Sequence, residues 1–115
     1  MDVPWRYTVT LGTAYIYQRA LAIEMDLQEI TYQREYEMEV IYKNFLVGKR
    51  RADFFVENEI MVELKAVIDL ENVHLAQAIN YLEASSKFIG LLINFGNTSL
   101  QFKRVMKPKR TRNQS

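Results

Sequence analysis

Three charged residues set in two short apolar stretches carry the chemical signal of this chain: Asp53, Glu63 and Lys65. Strands as apolar as Phe54–Val56 and Ile60–Leu64 normally enter a core, where an unpaired charge is costly. Side chains alternate along a strand, so Glu63 and Lys65 share one face while Val62, Leu64 and Ala66 take the other. A fold-back near Asn58 sets Asp53 opposite Glu63, with Cβ atoms about 5 Å apart. Two carboxylates at that distance repel unless a cation or a proton lies between them. Mg²⁺ prefers oxygen ligands, keeps several waters and commonly takes one or two protein carboxylates. Lys65 could then orient or help activate a water, or stabilise charge building on a phosphate. The spacing alone equally fits a structural ion triad, a carboxylate pair neutralised by one lysine.

The rest of the composition narrows the class. The chain has 115 residues, enough for one core, with 49% hydrophobic and 25% charged residues, as in an ordinary soluble globular protein. Net charge is +1, so bulk charge argues neither for nor against a nucleic-acid partner. The basic residues are grouped, however. Lys49-Arg50-Arg51 precedes Asp53, and a second run closes the chain from Lys103 to Arg112. Such runs can contact phosphates or stand in solvent. There is no cysteine, which excludes disulfides and thiolate chemistry, and the single histidine, His74, excludes a His-rich zinc site. No apolar stretch approaches the roughly 20 residues that span a bilayer, and the first residues lack a signal-peptide core. A cytoplasmic protein without membrane partners is the expectation.

Periodicity supplies the elements that must position the triad. Residues 13–27 read as a helix with Tyr17, Leu21, Glu24 and Met25 along one side, and Ile16, Ala20, Ile23 and Leu27 widening the apolar stripe. Glu24 reads most simply as a rim carboxylate. Residues 30–35 and 37–43 read as two strands, with Gly48 ending the pattern. Tyr7–Thr10 has weak strand character. The Asp53/Glu63 hairpin follows. Asp69 or Asn72 can cap a second helix over 71–85. Gln77 and Asn80 are its polar exceptions, and Gln77 could reach the Lys65–carboxylate cluster. Residues 88–95 read as a buried central strand, Gly96-Asn97 as a turn, and 100–106 as a last strand. The order predicts an α/β fold with a mixed sheet. No Gly-rich phosphate loop or nucleophile elbow is present.

In this order and spacing the residues resemble the small proteins named for a GxxExxY motif, within the PD-(D/E)XK nuclease-like superfamily. The resemblance runs from about Tyr17 to Met106. It is carried by Tyr17-Gln18-Arg19-Ala20-Leu21 with Glu24, Val40-Ile41-Tyr42-Lys43, Val47-Gly48 leading to Ala52-Asp53, Ile60 to Val67, His74-Leu75-Ala76-Gln77 with Asn80-Tyr81-Leu82, and Gly90 to Gly96 with Lys103-Arg104-Val105. It implies a restriction-endonuclease-like core, a mixed sheet flanked by two main helices. It also implies Asp53 and Glu63 as metal-binding carboxylates, Lys65 as the catalytic lysine and Gln77 as an accessory polar residue. The chain departs from the pattern at the motif itself, whose glycine would fall at Leu11 and glutamate at Ala14. Glu24 lies roughly 15 Å further along the helix axis. Either water fills the vacant position or activity has been lost.

The expectation is therefore a metal-dependent nuclease domain over residues 1–106, acting on DNA phosphodiesters, followed by a basic, flexible tail at 107–115. Mg²⁺ or Mn²⁺ would be held by Asp53, Glu63 and the Leu64 carbonyl, and Lys49, Arg50 and Arg51 would hold flanking phosphates. The alternatives are a catalytically degenerate domain that binds nucleic acid, and a structural homodimer.

Overall fold

The computed structural model describes residues 11–85 and 87–107, with the backbone alone at 11–13 and 84. The weak strand at Tyr7–Thr10 and the tail beyond Lys107 lie outside the described residues. The order is α1 (Leu11–Leu27), β1 (Tyr32–Tyr42), β2 (Phe45–Val56), β3 (Ile60–Lys65), α2 (Asn72–Ala84), β4 (Ile89–Asn94) and β5 (Gln101–Met106). The strands form one mixed sheet in sequence order, with β3 and β4 parallel and the other pairs antiparallel. Parallel neighbours need a crossover, and α2 is that crossover. This is the α/β mixed sheet with two helices that the periodicity predicts. Among the described residues no helix is long and apolar enough to cross a membrane.

Alternation along β3 divides the core. Met61 packs with Ala78 and Leu82 of α2 and Leu92 of β4; Val62 packs with Ala22 and Met25 of α1 and Phe54 of β2. The helices therefore lie on opposite faces. The helix α1 ends in a Schellman motif: Ile30 N–H donates to Met25 O at 2.8 Å and Glu29 N–H to Asp26 O at 3.1 Å, with Glu29 at φ 58°. The expected second apolar stripe of α1 faces outward. Ile16, Ala20, Ile23 and Leu27 are all exposed.

Three boundaries differ from expectation. The two strands read before and after residue 36 are one strand, β1, that changes phase: Tyr32 packs on the α1 side and Tyr36 on the α2 side. Glu35, between them, has φ 53°. Gly48 does not end a strand either; β2 runs through it. The hairpin turn at Lys43-Asn44 has φ of 49° and 69°, a left-handed pair usually signalled by Asn-Gly. The cap of α2 is Glu71, not Asp69 or Asn72, and its N–H donates to Nδ1 of His74 at 2.8 Å.

Candidate functional site

The β2–β3 ladder is short. It pairs Phe54 with Val62, Phe55 with Met61 and Val56 with Ile60, and one further step sets Asp53 opposite Glu63. At that step β2 also changes phase, since Ala52 packs on the α2 side and Phe54 on the α1 side. The position facing Asp53 on β1 is Glu35, the residue with positive φ. The phase change on both strands turns the Asp53 carboxylate out of the ordinary alternation, beside the backbone of β3.

Each oxygen of Asp53 accepts one hydrogen bond there, which leaves each with further acceptor capacity. Its Oδ2 accepts the Leu64 N–H at 2.8 Å, and its Oδ1 accepts Nε2 of Gln18 at 3.0 Å. Gln18 is buried on α1, and its Oε1 accepts Nε of Arg34 at 2.9 Å. A strand residue points its N–H and C=O to the same side, so the Leu64 carbonyl faces the same gap as Asp53.

Glu63 is treated differently. It is buried, and its Oε1 has no hydrogen-bond donor. The nearest cation is Arg50, whose Nη2 lies 3.6 Å from that oxygen and whose guanidinium sits 3.5 Å from the centroid of the Tyr81 ring on α2. Burial first, then the Asp53 charge, push the Glu63 carboxyl up to about 7, against smaller opposing effects of Arg50 and Lys65. Lys65 is half-buried on the same strand face and forms no ion pair among the described residues.

This donor set fits a divalent cation. It offers two oxygen ligands from carboxylates, one of them orphaned in a buried position, and a main-chain carbonyl aimed at the same gap. Among the described residues no three His, Cys, Asp or Glu side chains converge, so the anionic ligands are limited to this pair.

A model of the PD-(D/E)XK nuclease superfamily matches residues 9–105. The chain belongs to the PD-(D/E)XK nuclease superfamily. Its fold is also similar to that in the crystal structure of SSO0001, with a TM-score of 0.63 and 20% identity over 85% of this chain. That alignment covers 52% of SSO0001, so this chain spans about half the length of that protein. No curated protein gives a significant match.

Nucleases of this superfamily generally use divalent metals and act on nucleic acid. Against that background the other expected residues separate. Gln77 is exposed on α2, one turn before Tyr81, and makes no hydrogen bond with the carboxylates. The α2 residue that touches the cluster is Tyr81, through Arg50. The basic run does not form one patch, because it lies within β2 and alternates. Arg50 turns inward, while Lys49 and Arg51 are exposed and pair with Glu37 at 3.6 Å and Glu35 at 3.8 Å on β1. Reading Gly48 as a strand end hid that alternation. Glu24 is exposed, as expected of a rim carboxylate.

Gln18 is the residue that sequence reasoning missed. It lies one turn beyond Ala14, on the same side of α1, and fills with an amide the place where a first-helix carboxylate was sought. A polar residue within the buried stripe Gln18–Ala22–Met25 was the available signal.

Proposed function

We propose that this chain is a nuclease of the GxxExxY type that hydrolyses DNA phosphodiester bonds with Mg²⁺ or Mn²⁺. The observation that carries this reading is Glu63: a buried carboxylate beside a second one, with an oxygen that accepts no hydrogen bond and has Arg50 at 3.6 Å as its ion-pair partner. Asp53, Glu63 and the Leu64 carbonyl would hold the ion. A divalent ion bound there would supply Lewis-acid activation of water and screening of phosphate charge. Asp53 is held in place by Gln18 and the Leu64 N–H, so its carboxylate is oriented before any ion arrives. Lys65 brings a cation to the Glu63 face of β3, where it would stabilise negative charge developing on a phosphate oxygen. Arg50 offsets part of the Glu63 charge. The family blocks from Tyr17 to Val105 support the GxxExxY assignment. Residues 1–106 are read as one domain with a basic tail, and the lack of cysteine fits a cytoplasmic site of action.

Cleavage of plasmid and oligonucleotide DNA with Mg²⁺ or Mn²⁺, against an EDTA control, tests the reading. Metal-dependent cleavage that is lost in Asp53→Ala and Lys65→Ala, both folded, is expected. Wild-type cleavage by either variant would sink the mechanism.

One observation favours a second reading. The group reaching Asp53 from α1 is an amide, and Arg50 already stands 3.6 Å from Glu63. A site partly neutralised by its own cations suits a degenerate domain that binds nucleic acid or assembles with itself. Its signature is DNA binding that survives EDTA and weakens with salt.

A further inference from the structure

Arg50 and Glu63 form an ion pair that does not close. Nη2 of Arg50 lies 3.6 Å from Oε1 of Glu63, beyond the roughly 2.7–2.9 Å of a charge-assisted hydrogen bond. Oε1 is buried and accepts no hydrogen bond, and Nε of Arg50 is buried and donates none. The carboxylate side chain is 7% exposed and the arginine 30%, so water and salt screen the pair poorly.

The guanidinium is held by its face. Its carbon sits 3.5 Å from the centroid of the Tyr81 ring, and Tyr81 packs against the core cluster that contains Met38, Ala78 and Leu82. An arginine can stack one face on an aromatic ring while its edge keeps donors for another partner. The backbone beneath it is fixed as well, because Arg50 pairs with Met38 in the β1–β2 ladder, two residues before buried Ala52. The other cations nearby have different partners. Lys49 and Arg51 pair with Glu37 and Glu35, and Arg34 reaches Asp53 through the Gln18 amide.

We infer that Arg50, held on the Tyr81 ring, is a built-in counter-ion that competes with a divalent ion for Glu63 and so sets the metal affinity of the site. This rests on the metal reading of Asp53 and Glu63 and adds the residue that limits it. Two neighbouring carboxylates, one of them buried, need positive charge beside them in the metal-free protein. Arg50 supplies part of it. A second cation drawn to the same carboxylates meets the guanidinium charge, a repulsion worth about tenfold or more in affinity over a few ångströms at an effective dielectric of about 20. The open geometry keeps the competition reversible. A closed bidentate bridge would occupy both oxygens of Glu63. A guanidinium stacked on Tyr81 offsets the charge and leaves Oε1 without a hydrogen bond.

A purely structural ion pair and a competitor agree on stability and differ on metal. Removing Arg50 strands a buried carboxylate and destabilises the metal-free protein in both cases. Tighter metal binding follows for the competitor alone.

Calorimetric titration of Mn²⁺ at pH 8 into the full chain as wild type, Arg50→Gln and Arg50→Lys, with a denaturant melt of each, tests the inference. Arg50→Gln is expected to bind Mn²⁺ about tenfold or more tightly than wild type, although its metal-free form is less stable. Arg50→Lys keeps the charge and should bind like wild type. Equal or weaker binding by folded Arg50→Gln overturns the counter-ion and leaves the metal site standing. No binding to wild type or to either variant overturns both. Wild type also gives a reading that needs no substitution. The Arg50 Nε is buried, so its proton is sheltered from exchange with water. On adding Mg²⁺, one arginine Nε–H resonance should shift as the site fills. Arginine resonances that all stay fixed while Mg²⁺ binds overturn the inference.

Discussion

Asn94 and Glu63 are both buried on neighbouring parallel strands, yet the fold treats them in opposite ways. Asn94 is completely inaccessible. Its Oδ1 accepts the N–H groups of Val67 and Gly96 at 2.9 and 3.0 Å, and its Nδ2 donates to Gln101 Oε1 at 2.9 Å. Gln101 in turn accepts from Leu70 N–H at 3.0 Å and donates to Asp69 at 3.1 Å. Gly96 completes the knot, since a Cβ there would fall 2.2 Å from the Val67 carbonyl oxygen. Every partner is neutral or surface-facing, and the network ties the segment after β3 to the ends of β4 and β5. Glu63 is ionisable, lacks a hydrogen bond on Oε1 and has a second carboxylate at its side. A satisfied buried amide holds a fold together. An unsatisfied buried carboxylate costs stability, and a position that keeps one is a candidate for holding a ligand.

The largest effect expected from breaking this contrast is at Glu63. Glu63→Gln should lower metal-dependent cleavage by about a thousandfold or more, which is about 4 kcal/mol of transition-state stabilisation. The same substitution should stabilise the metal-free protein. The folded carboxyl titrates at about 7 against an ordinary 4.5, so protonation favours the folded state. The associated stability is fully present below pH 4.5 and is lost as pH rises through about 7. Glutamine imitates the protonated form and escapes that loss, by on the order of 3 kcal/mol at pH 8. Denaturant melts of both proteins at pH 4 and pH 8 would show it, with nearly all of the difference at the higher pH.

Asn94→Ala should do the reverse. Orphaning the Val67 and Gly96 N–H groups should cost about 2–4 kcal/mol. Metal affinity per folded molecule should stay unchanged, and a melt combined with a metal titration separates the two. A smaller effect belongs to Gln18. Gln18→Ala removes one bond to Asp53 and should weaken metal binding about tenfold, as outer partners of metal ligands generally do, with about 1 kcal/mol of stability. Metal affinity should also climb with pH, by up to about tenfold per unit below the Glu63 titration at about 7, and level off above it.

Much of the fold was legible because its signals are local. The period of residues 13–27, the apolar run at 88–95 and the alternation that puts Glu63 and Lys65 on one face needed no tertiary information. The phase change at Glu35 was visible as an apparent gap between two strands, although the chain continues through it. The role of Gln18 was not legible, because it depends on α1 crossing β2 beside Asp53, a contact 35 residues apart in sequence. Arg50 was hidden among cations whose strand had been cut at Gly48. Asn94 read as one more residue of a buried strand, since its partners sit in loops that no period describes.

Calorimetric titration of Mn²⁺ into wild type, Asp53→Ala and Glu63→Gln, with folding verified by circular dichroism, tests the central claim most directly. The account predicts one binding event in wild type at pH 8 and none in either folded variant. Binding of equal strength in the variants, or no binding to folded wild type, would contradict it.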